Sequence, residues 1–566
     1  MSLSGRENCL DALGGAGDVD SELARIDITG IHRAVRNEVL PKYPRSLQRA
    51  LKREYLATAG PTRTRAPDAK PGDYDSWARA NRQLFERDCQ LAGGRFFLAS
   101  NPEEIKLKAA RCTRIARGLI SKQPTAIVAY DAACNFATHQ GVTPPAPTSV
   151  TQTLQGCLTR LADDRWWGRK LKRTLYRTSE QSERDFGLVQ ATTGLYASDD
   201  AVERREQDRA RSRALLAETY AINECGQTLT LADIAETTIS NPAIRRSELM
   251  VRLRGFEEYA TKHNHVGEFF TLTLPSRFHA YRRHGDANPN FDGSSPAEGQ
   301  HWLNTTWARI RAQLDRAGIR LYGFRVAEPH HDGTPHWHLL LFFDTTHRDT
   351  IHEVFDRYML EEAPEEPGAR QHRWSTVAID PARGSATGYF AKYISKNIDG
   401  EGVGRDLEDD RERDASATCV RFETWASVWN IRQFQQIGGP PVGVWRELRR
   451  LRQPIGGRIE PARQAADNGD WCAFIEAMGG IHVPFRSCSI RILKFWSDLP
   501  GAYGDPIGYQ VAGLECDEQT VSTRFTEWTI LWGNGSAVSR TRVNNCTHVA
   551  PVVWPRGQTW RSIEPP

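Results

Sequence analysis

The sequence lacks several features that would place it in a large class of proteins. Its 566 residues contain no Gly-Lys dipeptide, which excludes a Walker A phosphate loop. No stretch approaches the run of about 18 apolar residues that a transmembrane helix needs. Residues 1–5 show no basic-then-apolar signal pattern. We therefore expect a cytoplasmic protein without a P-loop ATPase.

The net charge is also small, and the cysteines do not occur in closely spaced pairs. The chain carries 74 basic and 70 acidic residues, a net charge of only +4, so any surface for nucleic acid must be a local basic patch. Its 11 cysteines are odd in number and scattered, with no Cys-x-x-Cys pair. This pattern indicates reduced thiols rather than a disulfide framework or a cysteine-built zinc site.

Hydrophobic periodicity predicts an α+β fold, and the length predicts two to four domains. Residues 1–245 read as a mainly helical N-terminal region, possibly DNA-binding. Residues 246–400 alternate strands and helices, which predicts an antiparallel sheet with flanking helices. Residues 401–416, rich in Asp, Glu, Gly and Arg, read as a linker. Residues 417–566 read as a C-terminal region with a basic helix over 420–452 and a β-rich tail.

The central region carries the clearest periodicity. Strands are predicted at 268–274, 320–328, 336–343 and 373–379, and helices at 298–318, 347–362 and 384–397.

Two histidines in one predicted strand suggest a metal site. His336 and His338 alternate along the strand, so both point to one face, about 7 Å apart along the backbone. Imidazole binds first-row divalent ions, and carboxylate suits Mg²⁺ and Mn²⁺. Glu328 in the preceding strand is the best candidate for a third ligand. The alternative is that both histidines are structural residues of a central strand.

The role of Glu328 depends on the hairpin register. A three-residue loop of His331, Asp332 and Gly333 puts Glu328 opposite His336 on the same face, with Gly333 in the left-handed conformation. A two-residue Asp332-Gly333 loop turns Glu328 to the other face, because a slip of one residue exchanges the faces. Both loops are chemically allowed.

A predicted helix carries two tyrosines one turn apart. Tyr389 and Tyr393 stand at i and i+4 and share a face, with Lys392 and Lys396 beside them. A phenol must lose its proton to attack phosphorus, and a nearby lysine favours the phenolate and can hold a phosphate oxygen. Two tyrosines could alternate, one holding a 5′ end while the other cuts. The alternative is an amphipathic helix with two core tyrosines.

Three ordered segments together resemble a known family. Residues 269–273 (FFTLT), 328–338 (EPHHDGTPHWH) and 388–397 (GYFAKYISKN) resemble the three motifs of the phage replication initiator family, the replication gene A proteins, within the HUH endonuclease superfamily. The resemblance covers roughly residues 100–455. Outside the three motifs it is carried by the segments at 166–171, 245–258 and 425–450.

The resemblance implies both a fold and an activity. The superfamily fold is a five-stranded antiparallel sheet, so residues 246–400 would be the nickase domain. The implied activity is rolling-circle initiation: metal-dependent nicking of one origin strand, a covalent 5′-phosphotyrosine and strand rejoining. It implies Mg²⁺ or Mn²⁺ as cofactor and origin DNA as partner in a bacterial host cell. Because a Walker A loop is absent, a host helicase is expected, with host single-strand binding protein and polymerase.

Several basic and aromatic residues are predicted to hold the nicked strand. Each basic cluster could equally be a helix whose apolar residues pack while its charges are solvated. The candidates are Thr273 in the first motif, then Trp166, Trp167, Arg169, Lys170, Lys172 and Arg173, and finally Arg446, Arg449, Arg450 and Arg452.

Three other functions stay open. The same chemistry would suit a transposase or conjugative relaxase. A metal-dependent DNA hydrolase would cut without a covalent intermediate, and its tyrosines would be structural. An origin-binding protein with a structural metal would bind DNA and never cut it.

Overall fold

The computed structural model of the chain describes residues 40–51, 98–380, 382, 384–398, 415–517, 519–531, 537–543 and 553–555. Most of the predicted linker, 401–414, lies outside the described residues. The fold is α+β, as predicted. Within the described ranges, no helix combines the length and apolar character needed to cross a membrane.

The N-terminal part of the described chain is helical. Polar side chains cap its helices: Asn101 and Ser198 accept hydrogen bonds from backbone N–H groups of the first turns. The apolar faces of the helices between residues 102 and 185 form one core, which includes the fully buried Trp167 and Leu171. The elements are α1 (Pro102–Ser121), α2 (Ala126–His139), α3 (Leu154–Leu161), α4 (Asp164–Asp185), α5 (Asp199–Glu218), β1 (Tyr220–Asn223), β2 (Thr228–Thr230) and α6 (Leu231–Glu236).

A five-stranded antiparallel sheet lies at the centre of the molecule. Its strand order is β6-β3-β5-β4-β7, with every neighbouring pair antiparallel. The strands and the helices around them are α7 (Pro242–Lys262), β3 (His265–Leu272), α8 (Pro296–Arg316), β4 (Tyr322–Pro329), β5 (Pro335–Asp344), α9 (Arg348–Met359), α10 (Ala369–His372), β6 (Trp374–Ala378), α11 (Ala386–Ile398), α12 (Ala415–Trp429) and β7 (Phe434–Ile437).

Both faces of this sheet are covered by helices, which is why its central strands are nearly all apolar. In β5, Leu340 and Phe342 join the core that includes residues of α7 and α11. The alternate residues Leu339 and Leu341 join the core that includes residues of α8, α9 and α12. His336 and His338 have the parity of Leu340, so they face the side of α11.

The predicted helix over 420–452 is wrong. The structure has α12 to residue 429, then β7, then α13 (Val442–Leu448). Asn430 ends α12 with a φ of 56°, and two consecutive glycines, Gly438 and Gly439, follow β7 with φ of 63° and 70°. Left-handed residues interrupt a right-handed helix. Strand β7 pairs with β4, so the fifth strand comes from residues that the prediction assigned to the C-terminal region.

The C-terminal part contains short helices and two further four-stranded sheets. Strand β1 of the N-terminal part pairs with β11 (Thr526–Leu531), so one of these sheets combines strands from the N-terminal and C-terminal parts. The β-rich tail was predicted. The elements are α14 (Glu460–Asn468), α15 (Trp471–Ala477), β8 (Arg491–Pro500), β9 (Pro506–Cys516), β10 (Gln519–Ser522), β11 (Thr526–Leu531), β12 (Ala537–Val543) and β13 (Val553–Pro555).

Candidate functional site

The β4–β5 hairpin has the longer of the two loops considered from the sequence. Glu328 lies opposite His336 in the register, and the His330 N–H donates to the Thr334 carbonyl oxygen at 2.7 Å. His331, Asp332 and Gly333 form the loop between them. Gly333 has a φ of 77°, the left-handed conformation that this loop requires. Glu328 therefore faces the same side of the sheet as both histidines.

Glu328, His336 and His338 converge at one point. One ligand atom from each lies within 4.8 Å of the other two. The two histidine Nε2 atoms are 2.9 Å apart, and His338 Nε2 lies 3.9 Å from Glu328 Oε2. Two ligands that each bind one ion at about 2.1 Å lie at most about 4 Å apart, so these separations fit a shared ion. Two nitrogens and one carboxylate suit a divalent first-row ion. The three side chains, here called the triad, could hold a metal.

Hydrogen bonds from neighbouring strands and from α11 orient the triad. Thr271 in β3 lies opposite His338, and its Oγ1 is 3.1 Å from His338 Nδ1. Asn397 in α11 donates its amide to the Glu328 carboxylate and, at 2.8 Å, to the Tyr393 carbonyl oxygen. Gln433 in turn donates to the Asn397 Oδ1 at 2.9 Å. Such partners fix the direction of a ligand's lone pairs.

The surroundings of His336 keep its imidazole neutral. Burial lowers the pKa of His336 well below its ordinary value, and the neighbouring His330 and His338 lower it further. His330 stacks on His336 with ring centroids 4.1 Å apart, and burial lowers the pKa of His330 to about 3. Neutral imidazole is the form that binds a metal.

A buried carboxylate ties the hairpin loop to the N-terminal helices. Asp332 accepts hydrogen bonds from the Ala280 N–H at 2.8 Å and the Thr334 N–H at 3.0 Å. Burial alone would raise its pKa, but the interactions of its carboxylate with His279 and Arg184 outweigh burial and hold the pKa well below the ordinary value. Arg184 of α4 also donates to the Asp332 carbonyl oxygen at 2.8 Å. The loop that sets the register is therefore held from outside the sheet.

Helix α11 places its two tyrosines in different surroundings. Glu257 of α7 caps the helix by accepting from the N–H groups of Ala386 and Thr387, at 2.7 and 3.0 Å. The Tyr389 side chain is 47% exposed, whereas Tyr393 is 2% exposed. Their ring centroids are 6.2 Å apart.

Aromatic contacts join both tyrosines to the triad. The Tyr393 ring lies 4.5 Å from the His338 ring. Phe269 of β3 stacks on Tyr393 at 5.2 Å and meets Tyr389 edge-on at 4.9 Å. The tyrosine face of α11 therefore packs on the same side of the sheet as the metal ligands.

The two lysines of α11 also differ. Lys392 places its Nζ 5.1 Å from the centre of the Tyr393 ring. Lys396 is buried and places its Nζ 5.1 Å from the centre of the Phe422 ring. Lys396, with the triad, belongs to the lining of a large cleft and Lys392 does not.

That cleft has a volume of about 1290 Å³ and is open to solvent. Its lining includes the triad, Thr271 and several residues of the loop at 273–295 between β3 and α8. The two tyrosines do not line the cleft. Tyr393 contacts His338 of the triad directly, and Tyr389 contacts Phe269, which stacks on His338.

Comparison with known proteins shows which family the chain belongs to. The sequence model of the family described as bacteriophage replication gene A protein (GPA) matches residues 107–401, more than half of the chain. The probable replication protein P12 of Pseudoalteromonas phage PM2 is 34% identical over 459 residues, 77% of this chain and 71% of that protein. The chain belongs to the GPA family.

Two further family members cover less of their own length. The replication gene A protein of Escherichia phage 186 is 37% identical over 434 residues, 72% of this chain and 62% of that protein. The replication gene A protein of Escherichia phage P2 is 34% identical over 427 residues, 70% of this chain and 56% of that protein. This GPA family member thus spans less than two thirds of these two relatives. No solved structure matches it significantly.

The two tryptophans predicted to contact DNA are in a core. Trp166 and Trp167 are 5% and 0% exposed, and their rings pack edge-on at 5.2 Å. Neither indole is accessible for stacking with a base. This is the alternative in which the apolar residues of the helix pack in a core. Arg169 donates to the Tyr503 hydroxyl at 2.8 Å, and Lys170 lies 5.6 Å from the Trp166 ring. Lys172 pairs with Asp208 at 2.7 Å.

The second predicted cluster is also engaged with protein. Arg446 binds Glu248 through two hydrogen bonds of 2.6 and 2.8 Å, and Arg450 Nε lies 3.4 Å from Glu447. Arg449 is exposed. The Thr273 N–H donates to the Arg373 carbonyl oxygen at 2.8 Å. None of these four lines the cleft, and DNA contact through them stays a prediction.

The sequence reasoning missed several residues of the site. Strand alternation could have found Thr271, which shares a face with Phe269, and helical spacing could have found Asn397 at i+4 from Tyr393. Gln433 had no such signal, because it lies beyond the predicted linker. Arg184 had none either, since it is 148 residues from Asp332 in sequence.

Proposed function

We propose that this GPA family member is a rolling-circle replication initiator that nicks and rejoins one strand of origin DNA through a covalent 5′-phosphotyrosine. One observation carries the proposal: the tyrosine helix packs directly on the triad, with the Tyr393 ring 4.5 Å from His338. A hydrolase that uses water needs no tyrosines beside its metal. The relatives' names, replication gene A protein and probable replication endonuclease, point the same way.

The triad is the metal centre of this proposal. Glu328, His336 and His338 would hold Mg²⁺ or Mn²⁺, which would polarise the scissile phosphate and stabilise charge that develops on its oxygens. Thr271 and Asn397 position the ligands through their hydrogen bonds. Lys396, buried in the same cleft, supplies a positive charge close to the phosphate.

The tyrosine hydroxyl supplies the nucleophile. The phenolate oxygen of a tyrosine forms a bond to the phosphorus while the bond from phosphorus to the 3′ oxygen breaks. That oxygen leaves as a free 3′ hydroxyl once it takes a proton, and the 5′ phosphate stays on the tyrosine. Attack by a 3′ hydroxyl on the phosphotyrosine reverses the step, so rejoining requires no ATP.

The different exposure of the two tyrosines supports an order in which they act. Tyr389 is accessible to a strand from solvent, whereas Tyr393 is covered by Phe269. We propose that Tyr389 makes the first cut. Tyr393 acts on the second cut, after α11 or Phe269 has shifted.

The test is adduct formation on labelled single-stranded origin DNA with Mg²⁺ or Mn²⁺, resolved on a denaturing gel. We compare wild type with Tyr389→Phe, Tyr393→Phe and the double variant. Phenylalanine keeps the ring contacts, so the variants retain the packing of α11. The control is Tyr358→Phe, which removes a hydroxyl from α9 on the opposite face of the sheet from the triad.

We expect an adduct with wild type and Tyr358→Phe, none with the double variant, and a greater loss with Tyr389→Phe than with Tyr393→Phe. Cutting that persists without any adduct in the double variant would show a metal-dependent hydrolase instead. DNA binding with no cutting by wild type under any metal would show a non-catalytic origin-binding protein.

A further inference from the structure

The loop at 273–295 carries three consecutive basic residues at its tip. Arg282, Arg283 and His284 are all exposed, and all three line the cleft that contains the triad. In the described part of the chain, no carboxylate pairs with either guanidinium. The resemblance to the family did not point to this segment, which lies between the first two motifs.

The tip is a defined turn. Tyr281 and Ala287 form a β-bridge across its base, and the Arg282 N–H donates to the Asp286 carbonyl oxygen at 2.8 Å. The Gly285 N–H donates to the Arg282 carbonyl oxygen at 2.9 Å, and Gly285 has a φ of 95° that a side chain would disfavour. The backbone therefore fixes where the basic side chains start.

The loop is anchored on the hairpin that carries the triad. Asp332 accepts from the Ala280 N–H at 2.8 Å, and His331 Nε2 lies 3.0 Å from the Tyr281 carbonyl oxygen. From the other side, the Tyr281 hydroxyl donates to the Asp185 carbonyl oxygen of α4 at 3.1 Å. The tip is thus held in a fixed position relative to Glu328 and His336.

We propose that Arg282 and Arg283 form the phosphate-binding wall of the cleft and hold the backbone of the single-stranded DNA that runs to the triad. This inference rests on the proposed function, since it gives the cleft a DNA strand as occupant. It adds two residues to the sequence prediction, which placed DNA contacts on Thr273 at the start of this loop, on α4 and on arginines between residues 446 and 452.

The charges at the cleft support a polyanionic occupant. Guanidinium groups bind phosphate oxygens through charge-assisted hydrogen bonds, and unpaired ones have no partner to give up first. The carboxylate of Glu366 also lines the cleft, but Arg373 binds it at 2.5 Å and neutralises its charge. By contrast, Arg446 and Arg450 already face carboxylates.

The test is the salt dependence of binding to labelled oligothymidylate, measured by fluorescence anisotropy without divalent metal. The variant is Arg282→Ala/Arg283→Ala in the full chain. The matched control is Arg111→Ala/Arg114→Ala, which removes two exposed arginines of α1 that do not line the cleft. Arg282→Lys/Arg283→Lys tests whether charge alone suffices.

Each phosphate contact contributes about 0.7 to the slope of log K against log salt for a single strand. We therefore expect the alanine variant to lower the slope by about 1.4 and to weaken binding about 25-fold near 0.1 M salt. The lysine variant should keep the wild-type slope, and the α1 control should match wild type.

An unchanged slope in the alanine variant would overturn the inference, as would an equal loss in the α1 control. A larger loss on a labelled duplex than on the single strand would assign the loop to double-stranded DNA and overturn it as well. The adduct assay with wild type is independent of this slope. If wild type forms no adduct but the slope falls as expected, the proposed chemistry fails while the strand-binding wall stands.

Discussion

Arg446 on α13 and Arg282 at the cleft carry the same guanidinium in different surroundings. Arg446 is partly buried and bound by both oxygens of Glu248. Arg282 is exposed and, within the described residues, faces no carboxylate. The sequence pattern does not distinguish the two, and it even favours the segment around Arg446, because Arg449, Arg450 and Arg452 follow closely. What differs is the partner, and a paired arginine must lose a salt bridge before it can bind a phosphate.

The same contrast separates the aromatic residues of α4 and α11. Trp167 is fully buried in the helical core, whereas Tyr389 is nearly half exposed beside the triad. The aromatic residues of α4 that were predicted to contact DNA therefore serve packing. In the cleft, the buried His336 Nδ1 has no hydrogen-bond partner among the described residues. A buried polar atom without a partner costs stability, and at a metal-binding candidate a bound ligand would offset that cost.

The largest effect is expected at the cleft itself, on removal of the metal ligands of the triad. We expect His336→Ala/His338→Ala to lower nicking by about 10³-fold or more, because the metal's stabilisation of developing charge is lost. Titration with Mn²⁺ should show loss of the bound ion in the same variant. His301→Ala, an exposed histidine of α8, is the control and should retain both. Full nicking in the double variant would contradict the proposed metal centre.

Truncating a buried tryptophan tests whether the aromatic residues of α4 stabilise the helical core. Trp167→Ala should lower the free energy of unfolding by about 3–5 kcal/mol, because it leaves a cavity in the helical core. Chemical denaturation measures this change. Arg169→Ala, on the exposed side of the same helix, should change stability by less than about 1 kcal/mol. If folded Trp167→Ala protein binds single-stranded DNA many times more weakly while stability is unchanged, the indole has a DNA role after all.

A smaller effect is expected from Asn397, which joins the tyrosine helix to the triad. Asn397→Ala should weaken metal binding about 10- to 100-fold, since it removes the donor that orients Glu328. Calorimetric titration with Mn²⁺ gives the affinity directly. Ser395→Ala in the same helix is the control. Equal metal affinity in Asn397→Ala and wild type would show that the hydrogen bond does not orient the ligand.

The smallest effect should come from breaking the Arg446–Glu248 pair. Arg446→Ala should cost about 1 kcal/mol in unfolding free energy, a value typical of a partly exposed ion pair. It should leave the salt dependence of oligothymidylate binding unchanged, unlike substitution at Arg282 and Arg283. A fall in that slope would return α13 to the DNA surface and remove the contrast between the two regions.

Four strands of the central sheet and three of the helices around it could be predicted to within a few residues, because buried strands and amphipathic helices leave strong periodic patterns. The fifth strand could not. Phe434–Ile437 is only four residues long and lies between two helices, so its pattern is too short to read. It becomes a strand because β4 offers it an unpaired edge, which is a tertiary effect.

By itself the sequence determined the local identities: which strand carries His336 and His338, which helix carries Tyr389 and Tyr393, and the family. It left the register of the β4–β5 hairpin open, since both loops satisfy the local turn chemistry. Only the tertiary structure selected the longer loop, where buried Asp332 meets Ala280 and Arg184 from distant segments. It also decided which arginines are paired, because pairing depends on residues far apart in the chain that a local pattern cannot see.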